Sequence, residues 1–175
     1  MAQRIIVAIN RLNEAMGQFA KWLIAFVIAI VCFDVFMRYL LNSPTLWGYD
    51  ASYMVGCAFY TLGLGYAQKH EGNIRVDLLY GYFSPRARVL LDTLMTLFFF
   101  LPTYILLNQK LYENALDSIA KGEKATTSTW YPYVGPVKLC IAIGFSLLVL
   151  QLGSDILQGI FKLKTDLRKN PKKGQ

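Results

Sequence analysis

Residues 68–88 read QKHEGNIRVDLLYGYFSPRAR, and the build of the chain turns on this stretch. From Asn73 onward the apolar residues Ile74, Leu78, Leu79, Tyr82 and Phe83 recur at helical spacing, while Arg75 and Asp77 fall elsewhere on the wheel. The pattern predicts an amphipathic helix over 74–83 that lies along a bilayer surface rather than crossing it. It stands between two pairs of long apolar segments and fixes how those pairs sit.

Working outward, the four apolar runs are Trp22–Leu41, Ala51–Gln68, Val89–Leu107 and Leu139–Ile160. Each comes close to the roughly 20 residues that a helix needs to cross a hydrocarbon core of about 30 Å. A chain with 55% hydrophobic and 17% charged residues, bunched in this way, is not an ordinary soluble domain. The expected fold is an all-α membrane protein with one domain, residues 1–161, and a basic cytoplasmic tail, residues 162–175. Its four transmembrane helices form two hairpins joined by the cytoplasmic-side interfacial helix. A second surface helix is expected over residues 4–20 from the spacing of Ile5, Ile6, Ile9, Leu12 and Met16, with Asn10 and Asn13 in solvent.

The formal charge of +7 sorts by membrane side. With the amino terminus in the cytoplasm, Arg4, Arg11, Lys21, Lys69, Arg75, Arg86, Arg88 and the basic residues from Lys162 to Lys173 share that side. Only Lys110, Lys121 and Lys124 face the other, with Arg38 and Lys138 at span edges. The positive-inside rule therefore places both termini in the cytoplasm. A tail of this kind attracts lipid headgroups, and nothing beside it is built to read bases, so no nucleic-acid partner is expected.

Local signals set the joints. Asn42-Ser43-Pro44 marks a turn, after which Thr45 is expected to cap the second helix, with Trp47 as an interfacial anchor. Ser52, Gly56, Gly63 and Ala67 share one arc of that helix, where a partner helix can approach closely. Ser84-Pro85 reads as a cap followed by proline in the first turn, and Arg86 and Arg88 flank this start as membrane-surface anchors beside Arg75 and Asp77. Pro102 is expected to kink the third helix, which continues past the bilayer to a stop at Gly122. The loop over about 121–136 carries Lys121, Glu123, Lys124, Trp130 and Tyr131, and Lys138 follows at the start of the fourth span.

Chemistry is sparse. A single histidine, His70, cannot supply axial ligands for haem, and Cys32, Cys57 and Cys140 show no ligand spacing. No catalytic residues, cofactor or metal site are expected. Asp34 and Arg38 are the ionisable pair inside the first span, four residues apart on one face. They fit either an intrahelical or intersubunit pair, or a proton-carrying Asp34 in a small homo-oligomeric proton-coupled exporter.

From about Leu12 to Leu157 the chain resembles the DctQ-like small membrane subunit of tripartite ATP-independent periplasmic (TRAP) transporters. The matching residues are Arg38-Tyr39, Trp47 with Asp50, Gly63-x-Gly65, Gly72-Asn73-Ile74-Arg75-Val76-Asp77, Ser84-Pro85-x-x-Arg88 with Asp92, Gly122-Glu123, and Pro136-x-Lys138 leading into Ile143-Gly144. Asn73 stands where the family usually has histidine, and Asp50 where glutamate is commoner. The resemblance implies a non-enzymatic subunit in the bacterial inner membrane. A larger membrane subunit beside it would move an organic anion, a carboxylate or sulfonate, by an elevator motion driven by a sodium gradient, and a periplasmic binding protein would deliver that solute. Sodium coupling is expected in the large subunit, for which this chain serves as scaffold and anchor in the lipid bilayer. Asp34, Arg38, Trp47, Asp50, Gly56, Gly63 and Lys138 are the interface candidates, and Lys121, Glu123, Lys124, Trp130 and Tyr131 the candidates for docking the binding protein.

Overall fold

A computed structural model describes residues 2–70, 85–126 and 129–169. The expected surface helix over 74–83, with Arg75 and Asp77, lies outside the described residues, as do the side chain of Arg86 and the end of the basic tail. Everything described is helix or short connection. The helices are α1 (Ala2–Leu40), α2 (Gly48–Lys69), α3 (Pro85–Met95), α4 (Leu101–Ala120) and α5 (Gly135–Lys169), with a π-helical turn, Thr96–Phe100, between α3 and α4.

The 39 residues of α1 form one rod. The surface helix expected over 4–20 and the first span are therefore continuous, because no proline or unpaired turn residue interrupts them. Beyond Leu40 the chain reverses at Asn42, whose φ of +51° breaks the helix before Pro44. In α2 the cap differs from expectation: Trp47 holds the N-cap position without a side-chain bond. Thr45 instead gives both its N–H and its hydroxyl to the Asp34 carboxylate on α1, and its oxygen does not accept from the first N–H groups of α2.

Helix α3 is described from Pro85 onward, and the expected cap Ser84 lies outside the described residues. Pro102 has no N–H and would press its ring on the carbonyl one turn back. The chain meets this with the wider π-helical turn, in which Leu101 N–H bonds Thr96 O. Thr103 adds a second donor by bonding Phe99 O at 2.7 Å. The expected kink is thus a local widening, and α4 runs on to Ala120, beyond which Gly122 takes φ +59°.

The helices pack as an open row, α1 on α2, α2 on α5, and α5 on the α3–α4 rod, with the first half of α1 also reaching α5. Neither α1 nor α2 packs substantially on the α3–α4 rod, so the row does not close into a square bundle. Within its apolar window α5 is 44% buried, against 0% for α1 and 6% for α3–α4, so α5 forms the spine. Its Gly144 makes the closest approach of a glycine to another helix's backbone: a Cβ there would come within 2.5 Å of the Thr61 carbonyl on α2. The apolar core follows the same line through Leu62, Ala142, Leu147, Leu148, Leu152 and Ile156.

Among the described residues three helices are long and apolar enough to cross a membrane, over Gln3–Leu40, Ala87–Ala120 and Gly135–Lys164. The segment expected as the second span forms α2, a helix of 22 residues whose apolar character is diluted by Tyr49, Tyr53, Tyr60, Tyr66 and its glycines.

Candidate functional site

At the end of the row where α1 turns into α2, Asp34 is the organising group. Its Oδ2 accepts a bond from Arg38 at 2.9 Å, and its Oδ1 accepts the Thr45 N–H at 3.2 Å together with the Thr45 hydroxyl. Gly48 lies directly beneath, and a Cβ there would come within 3.1 Å of the Asp34 side chain. Trp47 stacks on Phe33 with ring centroids 6.0 Å apart, which fixes the turn from its other side. Asp34, Arg38 and Trp47 therefore meet in one structure whose chemistry is to hold a reversal of the chain. Asp50 belongs to the same end but behaves differently: it is 8% exposed, and its Oδ2 has no hydrogen-bond partner among the described residues.

Lys138 organises a second cluster, on α4 and α5. Its ammonium donates to Glu123 Oε2 at 2.7 Å, Ser118 Oγ at 2.7 Å and Asn114 Oδ1 at 3.1 Å. Ser118 also donates to Glu123. The Lys138 ammonium and the Ser118 hydroxyl hold the Glu123 carboxyl below its ordinary range. The following loop closes through Ala125 N–H to Pro132 O at 2.9 Å and Val134 N–H to Glu123 O at 3.1 Å. Lys124 lies over the Tyr133 ring at 5.2 Å, and Lys121 pairs loosely with Asp117 at 3.6 Å. Trp130 and Tyr131 stay exposed, the latter with φ +50°. Glu123 and Lys138 are thus tied to each other, and Trp130 and Tyr131 remain outward.

The opposite end, where α1 begins and α5 ends, contains a polar clasp that periodicity did not reveal. Asn13 Nδ2 donates to Gln151 Oε1 at 2.8 Å, and Gln151 Nε2 donates to Asn10 Oδ1 at 3.2 Å and to Asp155 Oδ1 at 3.0 Å. Gln68 Nε2 donates to Asp155 Oδ2 at 3.0 Å, bringing α2 into the network. Asn13 is fully buried, which corrects the expectation that it and Asn10 lie in solvent. Helix α1 packs on α5 here, and a polar side chain facing a neighbour at this depth must find a partner. Its Oδ1 lies against Gly65, where a Cβ would come within 2.2 Å. Outside the clasp, Glu14 accepts from Lys69 and from His70, the latter at 3.1 Å. The pairing of Gln151 with Asp155 was legible from their spacing of four, but the link to Asn13 spans 138 residues.

Between the two ends the row shows bare faces. Among the described residues nothing lies within 4 Å of a Cβ built at Gly56 or Gly63, so neither packs on another described helix. They alternate along α2 with Tyr53 and Tyr60, which are 65% and 70% exposed. Along α1, Trp22, Phe26, Ile28, Phe36 and Tyr39 project outward. Among the described residues no group of three or more histidine, cysteine or acidic side chains is placed to hold a metal ion. The arrangement offers surfaces with fixed ends. The family model described as tripartite ATP-independent periplasmic transporters, DctQ component, matches residues 27–162. No curated protein matches the chain.

Proposed function

The chain belongs to the DctQ component family of TRAP transporters, and on that premise we propose that it is the stationary scaffold against which a larger membrane subunit moves its solute. The solute is an organic anion, a carboxylate or a sulfonate, taken up with a sodium gradient after delivery by a periplasmic binding protein. In this reading all of α1, α2, the α3–α4 rod and α5 cross the bacterial inner membrane, with both termini in the cytoplasm. Support comes from the basic residues gathered toward the termini and the residues leading into α3.

The observation that carries the proposal is the open row with uncovered faces. A helix such as α2, with tyrosine hydroxyls and glycine notches on its bare side, suits another protein better than hydrocarbon. The partner covers this face of α2. The Lys138–Glu123 cluster stiffens the loop that meets the binding protein, with Trp130 and Tyr131 as its contact residues.

The test uses Gly56→Leu and Gly63→Leu, which meet open space and leave the fold of this chain intact. Each is expected to reduce co-purification of the large subunit and solute uptake together, while the isolated chain elutes and melts as before. Transport of solute by this chain alone in liposomes would overturn the scaffold reading. An exporter working through Asp34 gains no support, since that carboxylate is committed to Arg38 and Thr45.

A further inference from the structure

Where α1 begins and α5 nears its end, the two helices leave a groove of about 350 Å³ lined by Gln3, Ile6, Val7, Gln158, Phe161 and Lys162. Its floor is apolar: Ile6 is buried, and Val7 and Phe161 are each partly open. Its rim is polar, with the amides of Gln3 and Gln158 and the ammonium of Lys162. Gln158 Nε2 reaches Ser154 Oγ at 3.3 Å, which steadies the amide at the edge.

Among the described residues the cations at this end are in excess: Lys162 has no acidic partner, and neither do Arg4, Arg11 or Lys164. The nearby carboxylates whose side chains are described are engaged elsewhere: Glu14 accepts from Lys69 and His70, and Asp155 accepts from Gln151 and Gln68. The groove also sits where the apolar part of α5 gives way, after Ile160 and Phe161, to Lys162 and Lys164. A soluble anion would satisfy the rim and leave the apolar surface of Val7, 49% exposed, in contact with water. A ligand with an anionic head and an apolar body satisfies both.

We propose that this groove binds one anionic phospholipid. Its phosphate sits between Lys162 and the amides of Gln3 and Gln158, and the first part of a chain lies along Val7 and Phe161. The lipid covers the seam between the first and last helices of the chain. The proposal rests on the membrane placement given above and is independent of which solute the transporter carries.

The test is native mass spectrometry of the full chain in detergent, titrated with phosphatidylglycerol or phosphatidylcholine. The first phosphatidylglycerol is expected to bind in preference, and Lys162→Gln to weaken it about fivefold, the effect of one cation near an anionic headgroup. Val7→Trp fills the groove without changing charge and is expected to lower first-lipid occupancy as well. Lys164→Gln, which removes an equal charge outside the groove, is expected to leave it unchanged. An equal loss in Lys164→Gln, or no loss in Val7→Trp, would reduce the effect to unspecific attraction and overturn the site. Displacement of the lipid by soluble glycerol phosphate at similar concentration would show an anion site and overturn the lipid assignment. Because binding is read on the isolated chain, these outcomes stand apart from success or failure of assembly with a large subunit.

Discussion

Asn13 on α1 gives its side-chain N–H to Gln151 on α5 at 2.8 Å, and both side chains are shut away from their surroundings. Removing one partner leaves the other buried without its bond, a loss of about 1–3 kcal/mol. Asn13→Ala and Gln151→Leu should each destabilise the isolated chain by that order, read from denaturant or thermal melts in detergent. Because Gly65 abuts Asn13 Oδ1, Gly65→Ala should be costly alone and much less so combined with Asn13→Ala. Additive losses in this pair would mean that the two positions are not coupled.

The glycines of α5 should divide by environment. A Cβ at Gly144 would come within 2.5 Å of the Thr61 carbonyl, whereas nothing lies within 4 Å of one at Gly153. Gly144→Leu is expected to force α2 from α5 and abolish a monodisperse fold, while Gly153→Leu elutes as the parent does. Similar tolerance at both positions would contradict the crossing described for α2 and α5.

Acid should loosen the loop between α4 and α5. Glu123 is held below its ordinary value by Lys138 and Ser118, so its folded value lies under the unfolded one. The contribution of the pair is therefore complete above the unfolded carboxyl range and is lost as pH falls through the lower, folded value. Hydrogen exchange at Ala125 and Val134, whose N–H groups close the loop, should rise across that acidic window. In Glu123→Gln the dependence should vanish, with the faster exchange already present at neutral pH.

Asp34→Asn tests a turn against a proton path. The amide retains an acceptor for Thr45 but loses the charge that holds Arg38, so the change in the melting curve of the isolated chain should be small, as for other partly exposed ion pairs. Uptake by the assembled transporter should keep its dependence on external pH. Loss of proton-linked flux with normal assembly would return Asp34 to a carrier role.

Much of this architecture was legible because it is local. Pro85 stands at the described start of α3, Gly122 ends the third rod through a positive φ, and Asp34 and Arg38 pair as their spacing of four predicts. The Thr45 cap failed because capping rules see only the following helix, and the competing acceptor lies 11 residues upstream. Asn10 and Asn13 were misplaced for a related reason: amphipathic periodicity sorts polar from apolar and cannot say that a polar stripe faces another helix. The glycines of α2 show the converse. Gly56 and Gly63 share one arc and Gly65 lies off it, but only the coordinates show that Gly65 presses on Asn13 while, among the described residues, the arc itself is left uncovered.

The π-helical turn at Thr96–Phe100 has one further consequence. A rod interrupted in this way behaves as two short helices joined end to end, each free to choose the side it shows to α5. Thr93 below the turn meets Gly159, while Asn108 and Tyr112 above it meet Ser146. Regular winding with every residue kept would swing everything beyond the turn by roughly 100°, the angle between successive residues of an ordinary helix, whereas deleting one residue inside the turn would restore regular winding and leave both faces in phase. In the first case the seam above would unzip while the seam below stayed shut, so the one extra residue that the wide turn absorbs governs alignment more tightly than the identity of the phenylalanines that fill it.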